Sequence, residues 1–107
     1  MKPAGYVYCL SNAMYKGIYK IGFTQKNPNV RKEQLYTTGV LCEFKLEFAK
    51  KVNKHKEKEK CLHNILSSRG CRVNDKREFF KEDLNEIKKL FDQIEGEWFT
   101  EEHSNKY

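Results

Sequence analysis

No stretch of the sequence approaches the roughly 20 consecutive apolar residues that cross a bilayer. The opening MKPAGYVYCL also lacks the long apolar run of a secretory signal. These absences argue against a membrane or secreted protein, and the chain is expected to be soluble and intracellular, in cytoplasm or nucleus. There is no CxxC pair. Cys9, Cys42, Cys61 and Cys71 are widely spaced, and two of them sit in apolar or amphipathic segments where a free thiol packs as a small hydrophobe. They are read as reduced. A zinc site from Cys61, His63 and Cys71 would lack the paired ligands that structural zinc normally shows at each knuckle. Internal repeats and low-complexity linkers are missing too. With 107 residues and 12.8 kDa, one domain over 1–107 is expected, its core about 5–94, with residues 100–107 a fraying tail.

Enough apolar material remains for a core: aromatics are 13% of the residues and aliphatic runs punctuate the whole chain. The net charge is +6 and the pI about 9.1, which favours a polyanionic partner such as nucleic acid. Six of the eleven residues over 50–60 are lysine, the densest positive patch in the chain. This patch is either a nucleic-acid contact or an ordinary solvated helix face. Lys26, Arg31, Lys50, Lys51, Lys54, Lys56 and Lys58 are the candidate nucleic-acid contacts.

Residues 5–10 (GYVYCL) and 17–23 (GIYKIGF) are rich in aromatic and β-branched side chains and lie one short connection apart, so a hairpin is predicted. Asn27, Pro28 and Asn29 signal a helix start, with proline tolerated in the first turn. That helix is predicted to run to about Thr37 and to end at Thr38 and Gly39. Over 41–52, apolar residues alternate at Phe44, Leu46 and Phe48, the period of a third strand. Asn53 is a candidate cap for a second helix, whose stripe of Cys61, Leu62, Ile65 and Leu66 stops at 68–70. After Glu78, Phe79 and Phe80, a third helix is signalled by Leu84, Ile87, Leu90, Phe91 and Ile94, with Glu82 and Asp83 suited to its N-terminal dipole. Gly96 marks its expected end, and Trp98 and Phe99 are candidates to pack back onto the domain. The predicted class is α/β (α+β), a small sandwich in the order ββαβαα.

Tyr6-Val7-Tyr8 on the first strand and Tyr19-Lys20-Ile21-Gly22 on the second resemble the paired signature of the GIY-YIG nuclease superfamily. Arg31 follows nine residues after Gly22, and Glu59 falls on the helix after the third strand, in the superfamily's order. The stretches YVYCLSN, YKIGFT, Glu59 to His63 and Glu78-Phe79-Phe80 look most like its compact branch from phages and large DNA viruses, and the likeness covers about residues 5–91. The resemblance implies a three-stranded antiparallel sheet flanked by helices, and divalent-metal-dependent hydrolysis of nucleic-acid phosphodiesters, with DNA favoured. Two positions depart from the pattern: Tyr6 replaces the first glycine, and Lys20 replaces the tyrosine before Ile21.

The resemblance makes Glu59 the one protein ligand of a hydrated Mg²⁺ or Mn²⁺, a hard ion that keeps most of its waters. Helical spacing puts Glu59 with Leu62, His63 and Leu66, at the border of a buried stripe; the ordinary alternative is a surface glutamate paired with a lysine. Arg31, one turn before Leu35, is suited to fork onto phosphate oxygens at the edge of a packed face. Whether Tyr8 and Lys20 share a sheet face depends on register, and the resemblance implies that they do. Both have high unperturbed pKa values, so the general base stays open between them, with Tyr8 positioning and deprotonating water and Lys20 stabilising charge as the working assignment. Tyr19, His63 and Glu78 are auxiliary candidates, against plain roles as a sheet aromatic, a packing histidine and a helix cap. Two rival functions stay in view: the same fold gripping nucleic acid without cutting it, and a basic domain that binds an acidic protein. No helix carries the basic face with inserted aromatics that would suit a membrane surface.

Overall fold

A computed structural model describes residues 5–36, 42–73 and 78–100. Its elements are β1 (Gly5–Asn12), β2 (Ile18–Thr24), α1 (Pro28–Gln34), β3 (Phe44–Val52), α2 (His55–Ser68), β4 (Phe79–Lys81), α3 (Leu84–Asp92) and β5 (Glu97–Trp98). The strands form one antiparallel sheet in the order β4-β2-β1-β3-β5. The expected three-stranded sheet and its order ββαβαα are therefore corrected to five strands in the order ββαβαβαβ. The hairpin and β3 form the expected centre, and two short strands extend it at both edges. Phe79 and Phe80 lead into α3 in sequence but pair with Lys20 and Tyr19. Their rings go to opposite sides of the sheet, Phe79 to one core and Phe80 to the other, as a pleat requires. At the far edge Trp98 pairs with Lys50, and Gly96 permits the approach: a Cβ there would lie 2.5 Å from the Lys51 carbonyl oxygen.

The bulge in β3 distributes side chains in a way that a simple period does not. Cys9 faces Phe48 and Leu10 faces Leu46, so Glu47 is the extra residue, held by the Ser11 hydroxyl at 2.6 Å. The alternation predicted to put Phe44, Leu46 and Phe48 on one face is thus split. Phe44 and Leu46 join Tyr8, Leu10 and Ala49 under α1, with Leu35 packed against them. Phe48 joins Val7, Cys9, Ile21, Val52 and Phe80 on the other face, beneath Leu62 and Leu66 of α2 and Ile87, Leu90 and Phe91 of α3. Ile87 and Phe91 are fully buried one helical turn apart, and truncating either to alanine should cost about 2–5 kcal/mol.

The helix ends follow partly from residue type. Asn27 caps α1 by accepting from the Asn29 amide at 2.8 Å, with Pro28 in the first turn. Helix α1 ends at Gln34 with Leu35 as its C-cap; Thr37, Thr38, Gly39 and Leu41 lie outside the described residues. Asn53 is not the cap of α2: the chain turns at Lys54, which lies in the left-handed region at φ 53° and whose side chain makes no cap hydrogen bond. Asp83 caps α3 through the Asn85 amide, so Glu78 is not its cap and lies on the far side of β4. Helix α3 finishes at Asp92, before Gly96, and residues 101–107 lie outside the described residues. The four cysteines form no disulfide, and among the described residues no helix is long and apolar enough to cross a membrane.

Candidate active site

The ladder between β1 and β2 sets Tyr8 directly opposite Gly22 and Leu10 opposite Lys20. Directly opposed residues share a face, so Tyr8, Lys20 and Gly22 line the same side of the sheet, the side that α1 covers. Gly22 is the cradle for the phenol. A Cβ there would lie 2.5 Å from the Tyr8 hydroxyl oxygen and 2.7 Å from Cζ, a collision that glycine avoids. Tyr8 is almost wholly buried, and burial raises its pKa above the usual phenol value; hydrogen bonding and charge from the Arg31 side chain on α1 pull it back, while Glu78 and Glu59 push it up. Tyr19 faces the other way, packed against the core beneath α2 and α3, and its hydroxyl is likewise raised by burial.

At the outer edge of β2 the pairing with β4 runs only from Ile18 to Lys20, after which the Ile21 amide donates to the Glu78 carbonyl at 3.0 Å. The Ile21 carbonyl is then met by a side chain of α2: His63 Nε2 lies 2.8 Å away. A carbonyl can only accept, so Nε2 carries the proton. Burial lowers the His63 pKa, and the ring rests 4.9 Å from Phe80. One turn earlier on the same helix, Glu59 brings Oε2 to 3.8 Å from His63 Nε2. That Oε2 is buried and has no hydrogen-bond partner among the described residues. The Glu59 pKa is raised to about 8, first by burial and then by the charge and hydrogen bonding of Glu78, with Lys20 and Arg72 working against the rise. Burial and the neighbouring Glu78 charge thus favour the protonated form of Glu59. Lys20 Nζ sits 3.5 Å from Glu78 Oε2 and 5.2 Å above the Phe79 ring.

Tyr8, Arg31, Lys20, Glu59, His63 and Glu78 therefore belong to one neighbourhood, whereas Tyr19 lies behind the sheet. Gly22 was missed as a contributor; its signal was its place in the YKIG stretch, opposite a tyrosine once the register is known. The basic candidates divide. Lys26, Arg31 and Lys56 line a hollow at the end of β2, and Lys51, Lys54 and Lys58 line a groove beside Glu95 and Glu97. Lys50 is turned inward and 4% exposed: its ammonium donates to the carbonyls of Ile94 at 2.6 Å and Asp92 at 3.4 Å, over the face of Trp98.

The model of one family, the T5orf172 domain, matches residues 5–95, from the first residue of β1 to just past α3. The chain belongs to the T5orf172 domain family. The T5orf172 domain is phage-associated and nuclease-related, linked with nuclease-like and DNA-binding functions. No curated protein and no solved structure matches the chain. The matched segment contains all the site residues described above, from Tyr8 to Glu78.

Proposed function

We propose that this T5orf172 domain is a GIY-YIG-type endonuclease that hydrolyses phosphodiester bonds, DNA first, with one Mg²⁺ or Mn²⁺ held by Glu59. The observation that carries the reading is the buried Oε2 of Glu59, without a hydrogen-bond partner among the described residues, next to a second carboxyl and within the electrostatic reach of Tyr8. A carboxylate oxygen taken out of water without a partner is costly, and a cation is the partner that relieves the cost. Among the described residues no three His, Cys, Asp or Glu side chains gather as a closed metal cage. A lone carboxylate is the kind of ligand that a hard, mostly hydrated ion accepts, and zinc would call for a fuller ligand set. When bound, the ion would supply positive charge to the departing oxygen.

The chain's own groups account for the rest. Arg31 offers a planar fork of donors to the phosphate oxygens as charge builds on the pentacovalent phosphorus. Tyr8 positions the attacking water through its hydroxyl and accepts the proton in the transition state. Burial makes the phenolate scarce, and Arg31 is the group that works against that rise. Lys20 adds positive charge beside Glu78, and His63 fixes Glu59's helix against β2.

The test is cleavage of circular single-stranded and supercoiled DNA by the wild type and by Glu59→Gln, each with Mg²⁺, Mn²⁺ or EDTA. Nicking that requires the metal and vanishes in Glu59→Gln is expected. DNA binding with no cleavage of either substrate would instead favour a module that grips without cutting, a reading that the Lys20–Glu78 pairing supports because it occupies the departed tyrosine's position. Lys20→Met separates roles within the site: a loss of two or more decades marks catalysis, and a few-fold change marks structure.

A further inference from the structure

The hollow at the end of β2, about 330 Å³ in volume, has a composition that the proposed chemistry does not require. Its cations come from three separate parts of the chain: Lys26 just after β2, Arg31 on α1 and Lys56 in the first turn of α2. Among the described residues no carboxylate lines it. Lys26 and Lys56 are both exposed, with the Lys56 ammonium 5.9 Å from the Phe23 ring that forms one wall.

Two features of the wall point to a missing acceptor-rich ligand. His55 is 6% exposed, and neither ring nitrogen has a hydrogen-bond partner among the described residues. Its ring lies against Gly5, where a Cβ would come within 2.4 Å, and stacks at a tilt on Phe23. His55 and Lys56 are also the first two residues of α2, a 14-residue helix whose N-cap contributes no side-chain acceptor. An uncapped helix start leaves backbone donors and a positive dipole end open to an anion.

We propose that this hollow is a subsite for one backbone phosphate of the nucleic acid, next to the phosphate under attack. It rests on the reading of Tyr8, Arg31 and Glu59 as a phosphodiester-cleaving centre. Arg31 is shared between the two: it lines the hollow and its charge acts on the Tyr8 hydroxyl, so strand held in the hollow leads into the centre. Lys26 and Lys56 hold the phosphate from two sides, and the start of α2 faces it. Contacts of this kind fix register on the strand and carry no base preference.

The experiment measures binding of a fluorescein-labelled single-stranded DNA oligonucleotide in EDTA over a range of NaCl concentrations. It compares the wild type, the pair Lys26→Ala with Lys56→Ala, and a control pair, Lys45→Ala with Lys89→Ala, which are exposed lysines elsewhere. Each phosphate neutralised contributes about 0.7 to the slope of log K against log salt on a single strand, so the first pair should flatten the slope by about that much and the control should not. Thermal unfolding of both pairs checks that they fold. An unchanged slope, or an equal change in the control, overturns the subsite. Because no metal is present, the result is independent of cleavage: a flattened slope in a protein that never cuts DNA would sink the nuclease reading and leave the hollow as a backbone-phosphate contact without a cleavage centre beside it.

Discussion

Adding a single methyl group at Gly22 probes the centre of the site. Its strand pairing gives it extended backbone, so alanine is tolerated by the main chain and the cost arises from contact alone. The new Cβ would meet Tyr8 at 2.5 Å from the hydroxyl oxygen, 2.7 Å from Cζ and 3.0 Å from Cε1. These are backbone-anchored atoms on one side and a ring 1% exposed on the other, packed with Leu10, Phe44 and Ala49, so neither partner yields freely. Overpacking of this kind costs about 1–3 kcal/mol. In a domain of this size that lowers the melting temperature by roughly 5 to 20 °C. Activity should fall further than stability, because displacing the phenol by about 1 Å from Arg31 can cost on the order of a hundredfold in rate. The assay is a double-mutant cycle: urea unfolding and supercoiled-DNA nicking for Gly22→Ala, Tyr8→Ala and the double variant. A coupling of about 1–3 kcal/mol is expected, since without the ring the methyl has nothing to strike. If Gly22→Ala costs the same in the Tyr8→Ala background, or costs almost nothing in the wild type, the phenol does not lie across this glycine and the reasoning fails.

Further outcomes follow from the same geometry. The Glu59 carboxyl is raised from 4.5 to about 8, so its contribution to metal-free stability is full below pH 4.5 and is lost as pH rises through 8. Urea unfolding in EDTA across that range should show the decline, and Glu59→Gln should flatten it; equal pH dependence in both proteins would refute the assignment. Mn²⁺ binding near pH 7 should displace the proton that Glu59 holds, giving a calorimetric heat that varies with the buffer's ionisation enthalpy in the wild type and no binding in Glu59→Gln. Lys50→Met should cost about 1–3 kcal/mol, by leaving two carbonyls at the end of α3 without a donor, while the salt dependence of DNA binding stays as in the wild type. A flattened salt slope in Lys50→Met would show that its ammonium reaches nucleic acid after all.

The long elements could be read from the chain because their patterns are local. Seven or eight residues of aromatic and β-branched character make a strand, and Ile87, Leu90 and Phe91 mark a helix face whatever surrounds them. The edge strands gave no such signal. Phe79–Lys81 and Glu97–Trp98 are too short to display a period, and they are strands only because Ile18–Lys20 and Lys50–Lys51 offer open ladders to them. Asn53 has the right chemistry for a cap, yet the left-handed turn at Lys54 moves the start of α2 past it. In the site, the spacing of Tyr8, Arg31 and Glu59 was visible, but the parity of Tyr8 and Lys20 was decided by hydrogen bonding across the hairpin. Lys50 was indistinguishable from its neighbours in a lysine-rich run. Its inward turn follows from the bulge at Glu47 and from the carbonyls that α3 presents, two features distant in sequence.

Strand β5 also separates two notions of a domain. The recurring unit, the stretch that matches the family, stops at residue 95. The cooperative unit extends further: the Phe99 amide donates to the Ala49 carbonyl at 2.8 Å, Phe99 packs beside Tyr8's cluster, and Trp98 shelters both Phe48 and the Lys50 ammonium. A protein trimmed to the matched boundary would keep every proposed catalytic group. It would also bare the outer edge of β3, a row of open donors and acceptors on which a second molecule can add a strand. Self-association of such a fragment would reflect the missing strand and would not be a property of the whole chain.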